Sequence, residues 1–375
     1  MKRLCFIFGT RPEAIKLAPV ILLAKEQPKR FEVKVCVTGQ HREMLDQMLS
    51  IFGIVPDIDL GLMRPNQSLS YITSRTIKAV DKVLVKLRPD WVLVQGDTTT
   101  VWTAAVTAFF LNIPIGHVEA GLRTNDKRQP FPEEINRRIV SQVADLHFAP
   151  TEWAKKNLLA EGINQERIFV TGNTVIDALY WILKRNEENP TKDVVAIRDW
   201  VDKEISDRPM VLITGHRRES FGQGFENICR AIAELAVRHG DVCWVYPVHL
   251  NPNVQEPVRR ILTGLKNIYL IEPLPYAAFA YMMSRSKFIL TDSGGVQEEA
   301  PSLGKRVLVM RNKTERPEGV EAGVVTLVGN DKEIIIEHCE LLLNSKASAA
   351  EKVNPYGDGK ASGRILDILN KYKEH

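Results

Sequence analysis

Several marks of common protein classes are missing from this sequence of 375 residues. Aromatic residues make up only 7% and are not interleaved with the basic ones, and the formal net charge of +4 is slight for the length. Neither observation supports a general nucleic-acid-binding surface. No apolar run approaches the roughly 20 residues that a membrane span requires. We therefore expect no nucleic acid and no membrane among the partners of this chain.

Short signatures of cofactor and hydrolase sites are missing as well. No GxGxxG follows a strand and opens a helix, so the nicotinamide fingerprint is absent, and no GxxxxGK[ST] phosphate loop occurs. The sequence also lacks HExxH, paired CxxC and GxSxG, which argues against zinc hydrolases and serine esterases. We accordingly predict neither a cofactor nor a metal site.

The cysteines do not form a recognisable framework. None has CxxC spacing, and three lie within apolar runs that are typical of buried strands; the five are Cys5, Cys36, Cys229, Cys243 and Cys339. This pattern favours free buried thiols in a reducing compartment over disulfides or a metal site. The opening MKRLCFIF is basic and then apolar but too short for a signal peptide, so we interpret it as the first strand of a cytoplasmic protein.

What the sequence does contain is a regular alternation of short aliphatic runs and longer amphipathic stretches, which is typical of βα units and parallel sheets. The predicted strands are 3–8, 32–37, 57–60, 91–95, 114–118, 146–149, 167–170, 209–214, 243–248, 268–272, 288–291, 306–310 and 324–328. Long helices are predicted between them, for example over 68–87 and 225–240.

The length suits two domains, and the composition shifts most sharply in the polar segment KRNEENPTKD at 184–193. We predict an α/β protein of two doubly wound, Rossmann-like domains that face a central cleft, with a hinge within 171–193. The first domain comprises 1–170 and a returning C-terminal helix at 360–375, and the second comprises 171–359.

Ligands of open α/β sheets bind outside the carboxyl ends of the strands. After the first strand, Thr10 and Glu13 have capping-box spacing, whereas Arg11 and Lys16 place positive charge near a helix start, where the helix dipole disfavours it. A bound anion or a carboxylate partner explains these cations better than a solvated face does. After the fourth strand comes Asp97, which could act in a site or simply cap the next helix.

Two further acids occupy comparable places in the first half. Glu119 directly follows the fifth strand, and Glu133 lies in PFPEEINRR at the start of a helix, where acids are favoured on dipole grounds alone. Each acid taken singly has a structural explanation. Together with Asp97 they make three acids at neighbouring strand ends, which indicates a functional cluster.

The second half places cations and a glycine turn at its strand ends. His216 and Arg217 follow one strand, His249 follows the next, and Arg316 follows a third. TDSGGVQEEAPSLGK sets Ser293, Gly294 and Gly295 where a helix opens, a geometry suited to an anion, and the neighbouring glutamates suit hydroxyl groups instead. A ligand that fits both carries negative charge at one end and hydroxyls at the other.

Seven motifs, in order and spread across nearly the whole chain, carry a resemblance to a known family. They are FGTRPEAIK, QGDTTT, HVEAGLRT, PFPEEINR, TGNTVIDAL, TGHRRES and LTDSGGVQEEAPSLGK. The chain resembles the non-hydrolysing UDP-N-acetylglucosamine 2-epimerases. This implies the two-domain glycosyltransferase-B architecture, a UDP-sugar substrate, interconversion of UDP-N-acetylglucosamine and UDP-N-acetylmannosamine, no nicotinamide cofactor and, as usual in the family, a homodimer.

The resemblance also implies roles for individual residues. The first domain would carry the catalytic carboxylates and the second would bind the UDP moiety, with His216 near the diphosphate. The implied catalytic residues are Asp97, Glu119, Glu133 and His216, and the implied substrate-binding residues are Arg11, Lys16, Phe279, Ser293, Gly294, Gly295, Glu299 and Arg316. Glu299 would bind the ribose hydroxyls and Phe279 the uracil, whereas Glu298 is interpreted as a surface or helix-start acid. Bacterial members also bind a second UDP-N-acetylglucosamine as an activator, and the matching positions are Gln40, Gln67, Arg217 and His249.

Alternatives stay open at this point. A hydrolysing epimerase that releases free N-acetylmannosamine, or an epimerase of a modified UDP-sugar, would share most motifs. A UDP-sugar glycosyltransferase would want an acceptor groove and a single base, and a nucleotide-sugar sensor would have no reason to keep Asp97, Glu119 and Glu133 together.

Overall fold

The computed structural model describes residues 1–39, 42–62, 64, 67–345 and 354–372. The chain forms two compact units. Unit 1 comprises Met1–Ala178 and Tyr356–His375, and unit 2 comprises Leu179–Pro355. The division between them falls inside a helix rather than in a loop.

Unit 1 alternates strands and helices along the chain. In order these are β1 (Lys2–Phe8), α1 (Arg11–Lys25), β2 (Phe31–Val37), α2 (Arg42–Phe52), β3 (Ile58–Asp59), α3 (Leu69–Leu87), β4 (Trp91–Gln95), α4 (Thr99–Phe110), β5 (Ile115–Val118), α5 (Glu133–Val143), β6 (Leu146–Ala149), α6 (Glu152–Ala160), β7 (Ile168–Val170) and α7 (Thr174–Glu188).

The strands of unit 1 form one seven-stranded sheet in the order β3-β2-β1-β4-β5-β6-β7, with parallel pairing. The order reverses between β1 and β4, so the chain leaves these two strands in opposite directions. A crevice forms at the carboxyl ends of the strands at such a switch point, and this is where open α/β sheets bind ligands. The loops after β1 and β4 are therefore the first places to look for a site.

Unit 2 repeats the plan with α8 (Lys192–Trp200), β8 (Met210–Thr214), α9 (Gln223–Arg238), β9 (Cys243–Pro247), α10 (Pro252–Leu262), β10 (Ile268–Ile271), α11 (Tyr276–Arg285), β11 (Phe288–Thr291), α12 (Gly294–Glu299), β12 (Arg306–Val309), α13 (Pro317–Glu321), β13 (Val325–Leu327) and α14 (Lys332–Asn344). Its six strands are also parallel and are ordered β10-β9-β8-β11-β12-β13. The switch point of this sheet lies between β8 and β11. The last helix, α15 (Ala361–Lys371), belongs to unit 1.

These observations confirm the predicted α/β class with two doubly wound parallel sheets, and each predicted strand is present. The central strands are buried on both faces, as the unbroken aliphatic runs required. All five cysteines are free and buried, which confirms that part of the prediction. Across the described ranges, no helix is long and apolar enough to cross a membrane.

The polar segment 184–193, which lies in the range where we predicted a hinge, is mostly helical. Its first residues continue α7 and its last ones begin α8, with Thr191 capping the second helix. The returning helix is fixed by α7, because Asp177 accepts hydrogen bonds from the backbone N–H groups of Ala361 (3.2 Å) and Ser362 (2.8 Å). A side chain from another helix thus satisfies the first amides of α15.

Candidate functional site

The loop after β1 is organised by the buried Glu13. Its carboxylate accepts hydrogen bonds from the backbone N–H groups of Gly9 (2.8 Å) and Thr10 (2.6 Å), which is the glutamate half of a capping box. It also accepts one from the hydroxyl of Thr98 (2.6 Å) in the loop after β4. Burial raises the pKa of Glu13, and these hydrogen bonds oppose the rise. Glu13 therefore ties together the two loops of the switch point.

Asp97 does not cap the helix that follows it, so that structural alternative is wrong. The N-cap of α4 is Thr98, whose hydroxyl accepts from the N–H of Val101 (3.4 Å). The Asp97 carboxylate is instead paired with Arg137 of α5, through both Nε (2.8 Å) and Nη2 (2.7 Å). Because Thr98 is the N-cap, the Asp97 carboxylate at the end of β4 is not committed to α4.

Glu133 is placed on the same side of α5 as the groups that bind Asp97. Asn136 donates to the Asp97 carbonyl (2.8 Å) and Arg137 donates to its carboxylate, so the face of α5 that carries them is turned toward Asp97. Residues three and four positions apart share a helix face, and Glu133 precedes these two by that spacing. Its Oε2 is enclosed and accepts no hydrogen bond from any described residue.

The next residue of α5, Glu134, serves the scaffold. It is fully buried and accepts from the backbone N–H groups of Thr124 (3.0 Å) and Asn125 (3.3 Å). It also accepts from Arg137 (3.3 Å), so this arginine bridges Glu134 and Asp97. Glu134 therefore binds a loop and the Arg137 guanidinium group, whereas Oε2 of Glu133 has no hydrogen-bond partner among the described residues.

Glu119 lies directly after β5 with a positive φ of 63°, an unusual conformation for a residue with a side chain. Its buried carboxylate receives hydrogen bonds from Lys16 and Gln95 and from Asn173 (3.0 Å). A carboxylate out of water must be neutralised and hydrogen-bonded, and Lys16 supplies the charge. The unfavourable position of Lys16 near the start of α1 is thereby explained by a carboxylate partner.

Unit 2 has a second cluster at its own switch point, centred on Asp292 after β11. The Asp292 Oδ2 accepts from the backbone N–H groups of His216 (2.6 Å) and Arg217 (2.7 Å), and the His216 Nδ1 lies 3.3 Å from Oδ1. The His249 ring stacks on His216 at 5.3 Å between centroids. Burial lowers the pKa of His216; Asp292 opposes this effect, and His249 and Arg217 reinforce it. His216 is therefore a neutral imidazole near pH 7.

The predicted glycine turn opens α12, with Ser293 as its N-cap. A Cβ on Gly294 would lie 2.8 Å from Nη1 of Arg316, so the guanidinium group lies directly against the backbone of the turn. Arg316 donates to Glu298 (2.6 Å) and to Glu315 (2.7 Å). The interpretation of Glu298 as a surface acid is wrong, because Glu298 is only 1% exposed and its carboxylate binds this arginine.

Charge around Arg316 is balanced by a short chain of ion pairs. Glu315 lies between Arg316 (2.7 Å) and Arg311 (3.0 Å), and Arg311 also pairs with Glu219 (2.6 Å). Burial raises the pKa of Glu315, but the two guanidinium groups outweigh burial and lower it to about 2. Glu315 thus stays ionised and holds both arginines in place.

Glu299 closes α12 and accepts a hydrogen bond from the Tyr276 hydroxyl (2.5 Å). Tyr276 begins α11, and Phe279 follows it at i+3, so both lie on one face of that helix. Glu299 is buried and Phe279 is half-buried. Tyr276 therefore binds Glu299 and lies on the same helix face as Phe279.

Other predicted residues are not drawn into these clusters. Arg11 begins α1, and its side chain makes no hydrogen bond or ion pair with the rest of the described chain. Gln67 donates to the Leu62 carbonyl (3.0 Å) in unit 1. Gln40 lies outside the described residues. Within the described ranges, no group of three or more His, Cys, Asp or Glu side chains could hold a metal ion.

Several residues of the clusters were not singled out from the sequence, namely Gln95, Arg137, Asn173, Tyr276 and Asp292. Arg137 and Asp292 lie within motifs that drew attention for other residues, PFPEEINRR and TDSGG. Arg137 carries a charge opposite to that of the candidate acid Glu133, four residues before it. That Arg137 pairs with Asp97, and Asp292 with His216, became clear only from the distances in the structure.

Two histidines lie side by side beneath the site, His117 on β5 and His147 on β6. Burial lowers the pKa of His117 to about 4 and that of His147 to about 3. Neither ring nitrogen of His147 has a partner in hydrogen-bond geometry among the residues described, and the nearby backbone of Ala144 opposes the lowering of the pKa with the smallest of the effects on it. Both rings are thus neutral in the folded protein at any pH above about 5.

We expect His147→Met to flatten the acid dependence of stability. When folding lowers the pKa of a histidine, the full stability of the protein is present above the unfolded pKa of about 6.5. Stability is then lost as the pH falls from that value toward the folded pKa, because the unfolded state binds the proton first. For His147 the loss between pH 7 and pH 5 is about 2 kcal/mol at 1.36 kcal/mol per pH unit. Urea unfolding at both pH values should show the variant losing less stability than the wild type by about this amount; equal losses would contradict the buried neutral state.

Comparisons with known proteins agree across nearly the whole chain. The family model described as UDP-N-acetylglucosamine 2-epimerase matches residues 24–370. The chain is 53% identical over 368 residues to the UDP-N-acetylglucosamine 2-epimerase of Escherichia coli K12, an alignment that covers 97% of each chain.

Solved structures are similar as well. One is the UDP-GlcNAc 2-epimerase of Neisseria meningitidis bound to UDP-GlcNAc, with a TM-score of 0.87, 48% identity, and coverage of 99% of this chain and 100% of that chain. Another is the UDP-GlcNAc 2-epimerase of Methanocaldococcus jannaschii in complex with UDP-GlcNAc and UDP, with a TM-score of 0.79, 36% identity, and coverage of 98% and 99%.

Proposed function

Because the chain belongs to the UDP-N-acetylglucosamine 2-epimerase family, we propose that it is an isomerase that interconverts UDP-N-acetylglucosamine and UDP-N-acetylmannosamine without hydrolysing them. The observation that carries the proposal is the set of carboxylates at the strand ends of unit 1. Asp97 and Glu119 are each paired with a cation, whereas Glu133 keeps an enclosed oxygen without a partner among the described residues. Such a set is more than substrate binding alone requires.

The chemistry explains why acids and cations are both needed. The C2 hydrogen of the sugar is not acidic, because no carbonyl is attached to C2. As the bond from C1 to the UDP oxygen breaks, UDP takes the electron pair and the ring gains oxocarbenium character. A carboxylate can then take the C2 proton, and the C–H electron pair forms the C1=C2 double bond of an enol-ether glycal.

The reverse addition completes the epimerisation. An acid returns a proton to C2 from the opposite face of the sugar, and the UDP oxygen attacks C1 again. The overall reaction consumes no water and involves no net oxidation or reduction, so it does not require a cofactor. One group must remove the proton and another must deliver it, which is a reason for more than one carboxylate in unit 1.

Unit 2 supplies the groups that suit the nucleotide. We assign the diphosphate to the turn of Ser293, Gly294 and Gly295, where Arg316 lies against the backbone and backbone N–H groups open α12. His216, a neutral imidazole, donates or accepts near the departing phosphate. Glu299 binds the ribose hydroxyls and Phe279 the uracil, with Tyr276 orienting the carboxylate.

One experiment separates this proposal from its alternatives. The protein is incubated with UDP-N-acetylglucosamine in D2O, and the sugar is followed by NMR. Deuterium at C2 of both UDP-sugars supports the epimerase. Free N-acetylmannosamine would indicate a hydrolysing epimerase, and an unchanged substrate would favour a glycosyltransferase, a sensor or an epimerase of a modified sugar, to be distinguished by offering acceptors and modified UDP-sugars.

We predict that Gly294→Ala weakens UDP binding by displacing Arg316. The new methyl group would meet the guanidinium group at 2.8 Å, so the guanidinium group must shift against its buried partner Glu298. Losing a charge-assisted hydrogen bond to the ligand should lower the affinity about 10- to 100-fold in calorimetric titration, and the disturbed ion pair should also lower the melting temperature.

The control for this prediction is the Arg316→Ala background. If Gly294 acts through the guanidinium group, the double variant should bind UDP no more weakly than Arg316→Ala alone. Additive losses would mean that the methyl group blocks the ligand itself.

We further propose that the enzyme is a cytoplasmic homodimer and that Gln40, Gln67, Arg217 and His249 contribute to a second UDP-N-acetylglucosamine site. The free buried thiols support a reducing compartment. The stacking of His249 on His216, with Arg217 adjacent, supports a link between the two sites. Light scattering tests the dimer, and a sigmoidal dependence of the rate on UDP-N-acetylglucosamine tests the activator.

A further inference from the structure

The turn between β4 and α4 is held by side chains from several other elements. The Thr98 hydroxyl bonds to Glu13 of α1, and the carboxylate of Asp97 bonds to Arg137 of α5. Two more bonds reach the backbone. His117 of β5 bonds to the carbonyl of Gly96 (2.8 Å), and Asn136 of α5 donates to the carbonyl of Asp97 (2.8 Å).

These two backbone bonds flank the α-carbon of Asp97. A peptide unit is planar, so a bond to the Gly96 carbonyl orients the whole plane that leads into Asp97. A bond to the Asp97 carbonyl likewise orients the plane that leads out of it. Together they restrain both backbone dihedrals of Asp97 and hence the direction in which its side chain leaves the backbone, in addition to the ion pair with Arg137.

The hydrogen of the His117 bond can be assigned. A carbonyl oxygen only accepts, so the imidazole Nε2 must carry the hydrogen and donate it. The other nitrogen, Nδ1, is buried without a partner in the described chain. His117 is therefore held in one tautomer by the carbonyl of Gly96, a residue with a φ of 81°.

The ordinary explanation is a buried histidine that merely satisfies a carbonyl. A buried histidine in this sheet does not require a hydrogen bond. His147 is on the neighbouring strand, and both nitrogens of its ring lack partners in hydrogen-bond geometry among the described residues. His117 differs in that its bond leaves the sheet and reaches the turn that carries Asp97. The pair provides a matched comparison at one depth of the sheet.

We propose that His117 is a positioning residue for the epimerisation, whose Nε2–H fixes the Gly96–Asp97 peptide and so aims the Asp97 carboxylate, with Asn136 holding the other side of the same α-carbon. This inference rests on the proposed function and adds to it residues that act without touching the substrate. A displacement of about 1 Å at a reacting group lowers rates by as much as about 100-fold.

The test compares His117→Gln with His117→Met. The two side chains have similar length, but only glutamine keeps an N–H that can reach the carbonyl. We expect His117→Met to lower kcat for C2 exchange about 10- to 100-fold with KM and UDP affinity nearly unchanged, and His117→Gln to restore much of the loss. His147→Met, which removes no hydrogen bond, should keep the wild-type kcat. Asn136→Leu, a change of similar shape without the donor, should lower kcat in the same manner.

The outcomes separate this inference from the proposed function. A wild-type protein that exchanges no C2 hydrogen overturns the proposed function itself. If the wild type exchanges but His117→Met keeps its kcat, or if glutamine and methionine lower kcat equally, positioning by the N–H is refuted. A loss that appears mainly in KM or in UDP affinity also overturns it. Should the methionine variant not fold, His117→Gln and Asn136→Leu decide by the same split between kcat and KM.

Discussion

Asp97→Asn is expected to reduce deuterium incorporation at C2 by about 10²- to 10⁴-fold, the range that a positioned acid or base contributes. The amide matches the carboxylate in shape and keeps an oxygen that can accept from Arg137, so the fold around it should persist. UDP binding, which we assign to unit 2, should be nearly intact in a calorimetric titration.

The same strand offers a control for this prediction. Asp90 lies at the opposite end of β4, where its carboxylate accepts from the N–H of Arg3 (2.5 Å). Asp90→Asn should leave C2 exchange at the wild-type rate. If Asp97→Asn instead abolished UDP binding or lowered the melting temperature strongly, Asp97 would have to be assigned a structural role, although not that of a helix cap, because Thr98 fills that role.

Gly121→Ala is expected to destabilise unit 1 by about 3 kcal/mol or more. The residue has a φ of 94°, which costs about 1–2 kcal/mol for a residue with a side chain. In addition, a Cβ there would lie 2.2 Å from the backbone oxygen of Ala154 in α6, and backbone cannot move aside as a side chain can. Overpacking of this kind adds about 1–3 kcal/mol.

Gly162 separates the two contributions, because it follows the same helix and has a φ of 82°, but a Cβ there would have no atom within 4 Å of it. Gly162→Ala should therefore lower the free energy of unfolding by only about 1–2 kcal/mol in urea titration. If both variants lost the same free energy of unfolding, the backbone of α6 would have moved away from the new methyl group at Gly121 without an added cost. Any folded Gly121→Ala protein should also exchange C2 hydrogen slowly, since Glu119 lies two residues before the displaced backbone.

The strands were predictable because their signal is local. A parallel strand buried on both faces needs an unbroken aliphatic run, and WVLVQ at 91–95 and FILT at 288–291 satisfy that need without reference to any distant residue. The capping box of Thr10 and Glu13 is equally local, and the structure contains the predicted bond between them. Such features depend on residues that are near in sequence.

The errors arose where neighbours in sequence compete for one role. In GDTTT both Asp97 and Thr98 can cap a helix, and only the observed start of α4 at Thr99 assigns the cap to Thr98. Glu298 and Glu299 are adjacent, yet one binds Arg316 and the other accepts from Tyr276. The polar composition of 184–193, where we predicted a hinge, did not reveal that most of the segment is helical, because charged residues also suit the exposed face of a helix.

By itself, the sequence determined the α/β class, the thirteen strands and the polar residues at their carboxyl ends, because hydrophobic periodicity and capping act over a few residues. Only the tertiary structure decided which partner each charge has: Lys16 with Glu119 over 103 positions, Arg137 with Asp97 over 40, and His216 with Asp292 over 76. These pairings depend on the strand order of each sheet, which places β1, β4 and β5 in succession in unit 1 and β8 beside β11 in unit 2. No local pattern encodes that order, because it results from the packing of the helices against the whole sheet.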